Sequence, residues 1–196
     1  MHHPYLVSVV DADPSGPVHD VSGESAADEW IRRSPAAFCN TTDHRVLSQV
    51  LLKYDQETTD FYRWRVEYAQ EELAGLVGRN SGIDFGRIVN LVPAQRGPSG
   101  RISLLTIVGD KTTMTIGKEL EIRRTLSPSH LYSSAFIVDR HGGRDGVPER
   151  FVLTGAGWGH GVGMCQIGAA VMGESGYSPG DILAHYFKEA EVRCVY

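Results

Sequence analysis

Hydrophobic and polar positions alternate most regularly in the segment "YRWRVEYA". Aromatic and apolar side chains occupy every second position from Tyr62 to Tyr68, and charged side chains fill the positions between them. A period of two predicts a half-buried β-strand. From about residue 70 the apolar spacing lengthens to three and four residues, which predicts a short helix that ends near Gly78.

The middle of the chain predicts an antiparallel β-meander. The segments "RIVNLVPAQ", "RISLLTIVG" and "DKTTMTIG" are rich in β-branched residues and are joined by Gly, Pro, Ser and Asp, which favour hairpin turns. A short helix is predicted over 118–126, with Leu120 and Leu126 facing inward. Two further strands are predicted in "SSAFIVDRH" and "RFVLTGAG".

The ends of the chain predict shorter elements. We expect a buried strand over 5–10 and short helices over about 25–33 and 43–53. Two helices close the chain. The first is expected to bury one stripe, namely Met164, Ile167, Gly168 and Val171. The second is expected to begin at Pro179, with Ser178 as its N-cap and Asp181 completing a capping box.

These patterns predict an α+β fold with a mixed, mainly antiparallel sheet, short helices, and two helices at the C-terminus after a glycine-rich corner. The length of 196 residues suits a single domain over 1–196. Because the strand-like run "YLVSVV" follows "MHHP" at once, we expect the chain to start inside a domain that is truncated at its N-terminus. No secretory signal peptide is visible in these first residues.

The charge of the chain limits the classes of partner that we expect it to bind. The net charge is −5 and the chain has no run of Lys or Arg. A nucleic acid or an anionic membrane would require a basic surface, so we expect neither as a partner. No apolar run approaches membrane-spanning length. Uncharged polar ligands such as sugars remain open.

Candidate chemistry concentrates in residues 155–168, "GAGWGHGVGMCQIG". Glycines alternate with Trp158, His160 and Val162, and this pattern is neither a phosphate loop nor a dinucleotide fingerprint. Glycine gives up much backbone entropy on folding, so its concentration here indicates close approach of a ligand to the backbone. The other interpretation is a tight strand-to-helix corner, in which His160 only binds backbone.

A metal site and a nucleophile are weaker alternatives. Four residues in the C-terminal part are of types that bind zinc: His160, Cys165, His185 and Cys194. Their spacing fits no standard zinc finger, so we expect no cofactor. A Cys165–His160 pair lacks a third orienting group. The three cysteines, Cys39, Cys165 and Cys194, leave disulfide and metal use undecided.

Carboxylates near the aromatic strand are candidates for a glycosidic acid. Asp55, Glu57 and Asp60 lie in "YDQETTDFYRW", where solvated turn residues are the more ordinary interpretation. None of the three stands out as an acid with a raised pKa.

The C-terminal part, "GAGWGHGVGMCQIGAAVMGESGYSPGDILAHYF", resembles the stage II sporulation protein D / amidase-enhancer family. The resemblance is strong over 153–187. It is softer in "PYLVSVVDAD", "FYRWRVEYAQEEL", "SGRISLLTIVG", "EIRRTL" and "SSAFIV", which follow the order expected for the same domain. Cys165 stands where the family usually has Ser.

The resemblance implies a peptidoglycan lytic transglycosylase that acts on glycan strands without stem peptides and leaves 1,6-anhydromuramic ends. It also implies an extracytoplasmic location in the bacterial cell wall or envelope, and a cell-wall amidase as a further partner. By position, the residues that would bind glycan are Trp158, Gly159, His160, Gly161, Gln166 and Tyr186.

One difference between this sequence and the family's pattern concerns catalytic activity. The family's catalytic Glu lies in a Glu-Met motif upstream of the matched segments, and this sequence contains no Glu-Met pair; its first Glu is Glu24. We therefore expect the glycan-binding part of such a domain, inactive by itself, with its catalytic residue unassigned. The alternative is a non-catalytic wall-binding or amidase-enhancing module, and a zinc hydrolase ranks last.

Overall fold

The computed structural model describes residues 7–13, 20–52 and 60–193. Within these ranges the fold is α+β, as predicted, with two three-stranded antiparallel sheets and six helices. The helices are α1 (Glu24–Arg33), α2 (His44–Val50), α3 (Gln70–Ser81), α4 (Glu119–Thr125), α5 (Gln166–Glu174) and α6 (Pro179–Tyr186). The strands are β1 (Arg63–Ala69), β2 (Ile88–Arg96), β3 (Ile102–Gly109), β4 (Thr113–Gly117), β5 (Phe136–His141) and β6 (Arg150–Ala156). None of the described helices combines the length and the apolar character that a membrane crossing requires.

The chain divides into two compact units. The sheet unit comprises Asp20–Ser34 and Arg63–His160, and it contains both sheets with α1, α3 and α4. The helical unit comprises Met1–His19, Pro35–Tyr62 and Gly161–Tyr196, and it contains α2, α5 and α6. The prediction of one N-terminally truncated domain over 1–196 stays a prediction.

The first sheet of the sheet unit has the order β1-β6-β5. The period-two pattern in β1 is confirmed, since Trp64 and Tyr68 are buried while Arg65 and Glu67 are exposed. Trp64 pairs with Gly155 across the β1–β6 ladder. A Cβ atom at Gly155 would overlap the Trp64 indole, so the glycine leaves the space that the ring occupies.

The second sheet is the predicted meander, in the order β2-β3-β4. Its central strand β3 buries Ile102, Leu105 and Ile107 completely. These side chains join those of β1, β6 and α3 in one apolar core, to which β6 contributes Phe151 and Leu153. The sheet unit is therefore built around a continuous hydrophobic interior.

Two details of the predicted helices in the sheet unit are wrong. Leu120 is 44% exposed, whereas Leu126, just beyond the end of α4, is buried as predicted; the helix itself buries Ile122. Helix α3 continues past Gly78 to Ser81, where Gly82 with φ of 73° ends it in the left-handed conformation.

The helical unit has short, capped helices. Asp43 caps α2 by accepting the Arg45 N–H. The predicted capping box of α6 is confirmed, because the Ser178 hydroxyl accepts the Asp181 N–H and the Asp181 carboxylate accepts the Ser178 N–H.

The predicted apolar stripe of α5 is only partly correct. Ile167 and Gly168 are buried, but Met172 is the third buried residue and Val171 is only half-buried. Met164 precedes the helix and is 43% exposed. Of the strand predicted over 5–10, residues 7–10 form no strand, and residues 5 and 6 lie outside the described residues.

Candidate functional site

The alternating glycines share one backbone conformation. Gly157, Gly159, Gly161 and Gly163 have φ between 69° and 78°, a left-handed region that side chains with a Cβ rarely adopt. The repeated glycine is therefore required by backbone geometry. The run also crosses the division of the chain, because His160 ends the sheet unit and Gly161 begins the helical unit.

Three hydrogen bonds hold the part of the run that belongs to the sheet unit. The Trp64 indole N–H donates to the Gly157 carbonyl at 3.2 Å. The Gly159 N–H donates to the Tyr132 carbonyl at 2.8 Å, and the Arg101 Nε donates to the Gly159 carbonyl at 3.3 Å. Fixed backbone on both sides of Trp158 gives that side chain a defined position.

Trp158 and His160 are exposed on this anchored segment. The Trp158 indole is 37% exposed and packs edge-on against the half-buried Tyr132, with ring centroids 5.5 Å apart and an interplanar angle of 85°. This contact fixes the orientation of the indole relative to Tyr132. The sheet unit thus presents an oriented, exposed aromatic side chain two residues before the exposed His160.

Gln166 lies on a shallow, open depression of the helical unit. It is the first residue of α5 and is exposed. The depression is lined by uncharged residues: Gln49, Val50, Met164, Gln166, Ala169 and Ala170. Two amides and apolar surface without a charged group suit a neutral polar ligand better than an ion.

Sequence reasoning missed Gln49. Its position on the exposed face of α2, after the buried Val46 and Leu47, was the available signal. That signal does not connect Gln49 with the glycine run, because α2 lies more than a hundred residues before the run in the sequence.

Tyr186 is placed differently from the other predicted site residues. Its ring is completely buried, and its hydroxyl donates to the Asp11 carboxylate. Burial raises the pKa of Tyr186, and the neighbouring Asp11 charge raises it further. A Cβ atom at Gly168 would overlap both Asp11 and the Tyr186 hydroxyl, so glycine in α5 makes room for this pair.

Asp11 also joins two cysteines that sequence reasoning did not pair. One oxygen of Asp11 and the sulfurs of Cys39 and Cys165 lie within 4.8 Å of one another. The Cys39 N–H donates to Asp11 Oδ2 at 3.0 Å, and the Gly168 N–H donates to the Cys165 sulfur at 3.4 Å. This group, the Asp11–Cys39–Cys165 cluster, is half-buried.

The four zinc ligands considered from sequence do not form this group. Cys165 contributes to it, whereas His160 belongs to the sheet unit and Cys194 lies outside the described residues. His185 is buried and packs edge-on against Tyr186 and Phe38, with centroids 4.7 Å and 5.8 Å away. Burial lowers the pKa of His185, and the Lys188 charge lowers it further.

The described carboxyl groups with shifted pKa values all shift downward. Hydrogen bonds to Ser, Arg or Lys side chains lower the pKa of each: Asp20, Asp43, Glu67, Asp84, Asp110 and Asp181. A general acid for glycosidic cleavage needs the opposite shift. Asp60 is exposed, and Asp55 and Glu57 lie outside the described residues.

Glu24, the first Glu of the sequence, has a structural partner. Its carboxylate accepts from Arg96 Nε at 2.6 Å and from Arg96 Nη2 at 2.7 Å. The guanidinium is buried and also donates to the Gly100 and Phe136 carbonyls. Glu24 therefore compensates a buried charge at the start of α1.

Comparison with known proteins gives two matches. The chain is 37% identical over 81 residues to a protein named Stage II sporulation protein D from Bacillus amyloliquefaciens. That alignment covers 41% of this chain and 22% of the relative, so the chain spans about a fifth of the curated relative it matches.

A family model also matches residues 1–163, which include the sheet unit and the glycine run as far as Gly163. Its description is a domain of unknown function, DUF8618. With most of its length matched, the chain belongs to the DUF8618 family.

Proposed function

We propose that this chain binds peptidoglycan glycan strands and is the glycan-binding part of a lytic transglycosylase-like protein of the sporulating bacterial cell wall. The partial similarity to a protein named Stage II sporulation protein D supports the link to sporulation and the wall. The observation that carries the binding proposal is the oriented, exposed indole of Trp158 on the anchored glycine run.

The Trp158 platform suits a sugar ring. One face of a pyranose carries C–H groups, and these pack on an aromatic face while the hydroxyl groups at the ring edge stay hydrated or hydrogen-bonded. Because the backbone on both sides of Trp158 is hydrogen-bonded with Trp64, Tyr132 and Arg101, the platform loses little conformational entropy on binding. Gly159, which has open space where a Cβ would lie, lets a strand approach the main chain.

Each unit by itself offers polar groups: His160 is the candidate in the sheet unit, and Gly161 and Gln166 are the candidates in the helical unit. The imidazole and the amide both donate and accept hydrogen bonds, which matches the hydroxyl and acetamido groups of a glycan. The depression around Gln166 has no charged lining residue, which suits the neutral hydroxyl and acetamido groups of the sugar rings. We assign Tyr186 to the support of this surface, since its hydroxyl is bonded to Asp11.

Cleavage is not assigned to any residue of this chain. A lytic transglycosylase uses a carboxylic acid to protonate the glycosidic oxygen before the muramic C6 hydroxyl closes the 1,6-anhydro ring. The sequence has no Glu-Met pair, and the shifted carboxyl groups of the described residues are held in the ionised form. The proposal is therefore binding by this chain.

Titration calorimetry with peptide-free glycan strands tests the platform. We expect Trp158→Ala to weaken binding at least tenfold, because the stacking surface is lost. Leu120→Ala is the control: it truncates a similarly exposed apolar side chain of the sheet unit, 44% against 37% exposed, and we expect unchanged affinity. Equal affinities of both variants and the wild type would remove Trp158 from the site.

The polar contacts have controls matched by residue type. His160→Ala and Gln166→Ala should each weaken binding several-fold, whereas the exposed His130→Ala and Gln95→Ala should not. A wild-type chain that does not bind glycan strands at all would overturn the proposed function.

A second candidate is a non-catalytic wall-binding or amidase-enhancing module with an extracytoplasmic location. The downward pKa shifts of the described carboxyl groups agree with it, because none of these groups is kept protonated as an acid. Both candidates predict glycan binding by this chain without new 1,6-anhydro ends, so the test is the effect of the chain on a cell-wall amidase. Stimulation of the amidase would support the module, and an unchanged amidase rate would favour the first candidate.

A further inference from the structure

Two thiols of the helical unit meet from distant parts of the sequence. Cys39 precedes α2, and Cys165 is the N-cap of α5. The two sulfurs and one carboxylate oxygen of Asp11 lie within 4.8 Å of one another. Both cysteines are half-buried and carry free thiols.

We propose that Cys39 and Cys165 are a redox pair that closes to an intrachain disulfide when the chain meets a disulfide oxidant. Sulfurs that lie within 4.8 Å of each other must approach further to reach the bonded separation of about 2.05 Å. That movement is a matter of side-chain torsions and small shifts of two segments that already pack together. The proposal is independent of what the chain binds.

The environments of the two sulfurs differ in the way a redox pair needs. The Cys165 sulfur accepts hydrogen bonds from Cys39 and from the first turn of α5, including the Gly168 N–H, and these bonds lower the pKa of Cys165. Its hydrogen bond with Cys165, its burial and the Asp11 charge raise the pKa of Cys39. Cys165 is therefore the better thiolate and the attacking sulfur, and Cys39 is the resolving thiol.

The reaction balances with a low-molecular-weight disulfide as oxidant. The Cys165 thiolate attacks one sulfur of the oxidant, a mixed disulfide forms, and the first thiolate leaves. The Cys39 thiol then gives its proton to the Asp11 carboxylate while its sulfur attacks the Cys165 sulfur and expels the second thiolate. Two protons and two electrons pass from the chain to the oxidant, which ends as two thiols.

The bond would join two of the three chain segments of the helical unit. Cys39 belongs to Pro35–Tyr62 and Cys165 to Gly161–Tyr196. Both cysteines pack against the small apolar cluster of Leu47, Phe61 and Ile167. Since this cluster offers little apolar burial, a covalent link beside it would have a large relative effect on stability.

A disulfide fits this cluster better than a metal ion. Structural zinc sites use four protein ligands, whereas Asp11 and the two sulfurs are the complete group of close His, Cys, Asp and Glu ligands in the described part of the chain. The Asp11 oxygens are also engaged, because they accept the Tyr186 hydroxyl and the Cys39 N–H.

The full chain is incubated with oxidised glutathione, alkylated under denaturing conditions, digested and analysed by mass spectrometry. We expect a cross-linked peptide containing Cys39 and Cys165, two hydrogens lighter than the separate peptides. Cys194→Ser is the matched control and should give the same peptide. The midpoint of thermal unfolding should rise by several degrees on oxidation in the wild type and in this control, and stay unchanged in Cys39→Ser.

Asp11→Asn tests the proton acceptor. The amide still accepts the Tyr186 hydroxyl through its oxygen but takes no proton from Cys39, so we expect the maximal rate of disulfide closure to fall about tenfold. The variant also loses the charge that raises the pKa of Cys39, so the rate should reach its maximum at lower pH than in the wild type. An unchanged rate and profile would remove Asp11 from the step.

Other outcomes overturn the redox pair. Full alkylation of both cysteines after oxidant treatment of the folded wild-type chain would do so, as would a cross-link through Cys194. Zinc binding would also overturn it. That outcome is one equivalent of zinc, added as the chloride, that binds the wild type and blocks its oxidation but binds neither Cys39→Ser nor Cys165→Ser.

Discussion

The sheet unit and the helical unit bury very different interiors. The sheet unit encloses a continuous apolar core contributed by both sheets, α3 and α4. The helical unit has a small apolar cluster of Leu47, Phe61 and Ile167. Beside it lies the half-buried Asp11–Cys39–Cys165 cluster, in which Asp11 accepts a hydrogen bond from the buried Tyr186. One interior gains its stability mainly from apolar area, and the other depends on individual hydrogen bonds.

This difference matters because apolar burial and polar pairing fail in different ways. Apolar contacts are non-directional, so a sheet core loses stability in proportion to the volume removed. A buried polar cluster loses stability when one partner disappears, because the remaining group stays desolvated without compensation. Substitutions matched between the units can measure the difference.

The largest effect is expected from Phe151→Ala. The ring is completely buried in the core of the sheet unit, so we expect the free energy of unfolding to fall by about 4 kcal/mol. Urea denaturation followed by circular dichroism measures it. The exposed Leu120→Ala is the control, and a loss below about 1 kcal/mol for Phe151→Ala would contradict a close-packed core.

Two glycine substitutions compare the units directly. In Gly155→Ala the new methyl group overlaps the Trp64 ring, and in Gly168→Ala it overlaps Asp11 and the Tyr186 hydroxyl. We expect each to lower the free energy of unfolding by about 2 to 3 kcal/mol. Thermal and urea unfolding of both variants check this.

Gly173→Ala in the same helix as Gly168 is the matched control. The added methyl group lies no closer than 3.9 Å to its nearest neighbour, Ile182. We expect a gain of up to about 1 kcal/mol from helix propensity alone. Equal losses at Gly168 and Gly173 would mean that overlap is not the cause.

Tyr186→Phe removes only the hydroxyl that Asp11 accepts. The ring still fills its buried site, so we expect a loss of about 2 kcal/mol in the free energy of unfolding, due to the unpaired carboxylate. Tyr132→Phe, at a half-buried ring of the sheet unit, is the control and should change stability by less than about 0.5 kcal/mol. An unchanged free energy of unfolding in Tyr186→Phe would show that other groups compensate the charge of Asp11.

The smallest expected effect is a pH dependence through His185, whose pKa is lowered in the folded chain by burial and by Lys188, against the opposing Asp11 charge. The unfolded chain binds a proton near the ordinary pKa of 6.5, so stability is present above that pH and is lost as the pH falls below it. Unfolding measured between pH 7 and 5 should show this loss in the wild type and a smaller one in His185→Gln. An identical slope in both would exclude His185.

Local patterns predicted much of the fold. The alternation in β1, the turn residues of the meander and the capping residues of α6 each determine local structure through contacts a few residues apart. The errors come from tertiary context. Leu120 lies at a spacing that predicts an inward-facing helix position, but α4 has only seven residues. Tertiary packing, which sequence spacing does not encode, decided that Leu120 is exposed.

The candidate site shows the same division. The glycine run, Trp158, His160 and Gln166 stood out in sequence because left-handed φ values require glycine and because the motif is continuous. Gln49 did not stand out, since it lies on another helix and shares the depression with Gln166 only after folding.

The sequence by itself determined the order and type of most elements and the backbone conformation of the glycine run. Only the tertiary structure decided that Tyr186 is buried on Asp11 and that Cys39 meets Cys165. The physical reason is range: propensity, capping and turn chemistry act over a few residues, whereas these contacts join segments far apart in the sequence that fold into one unit.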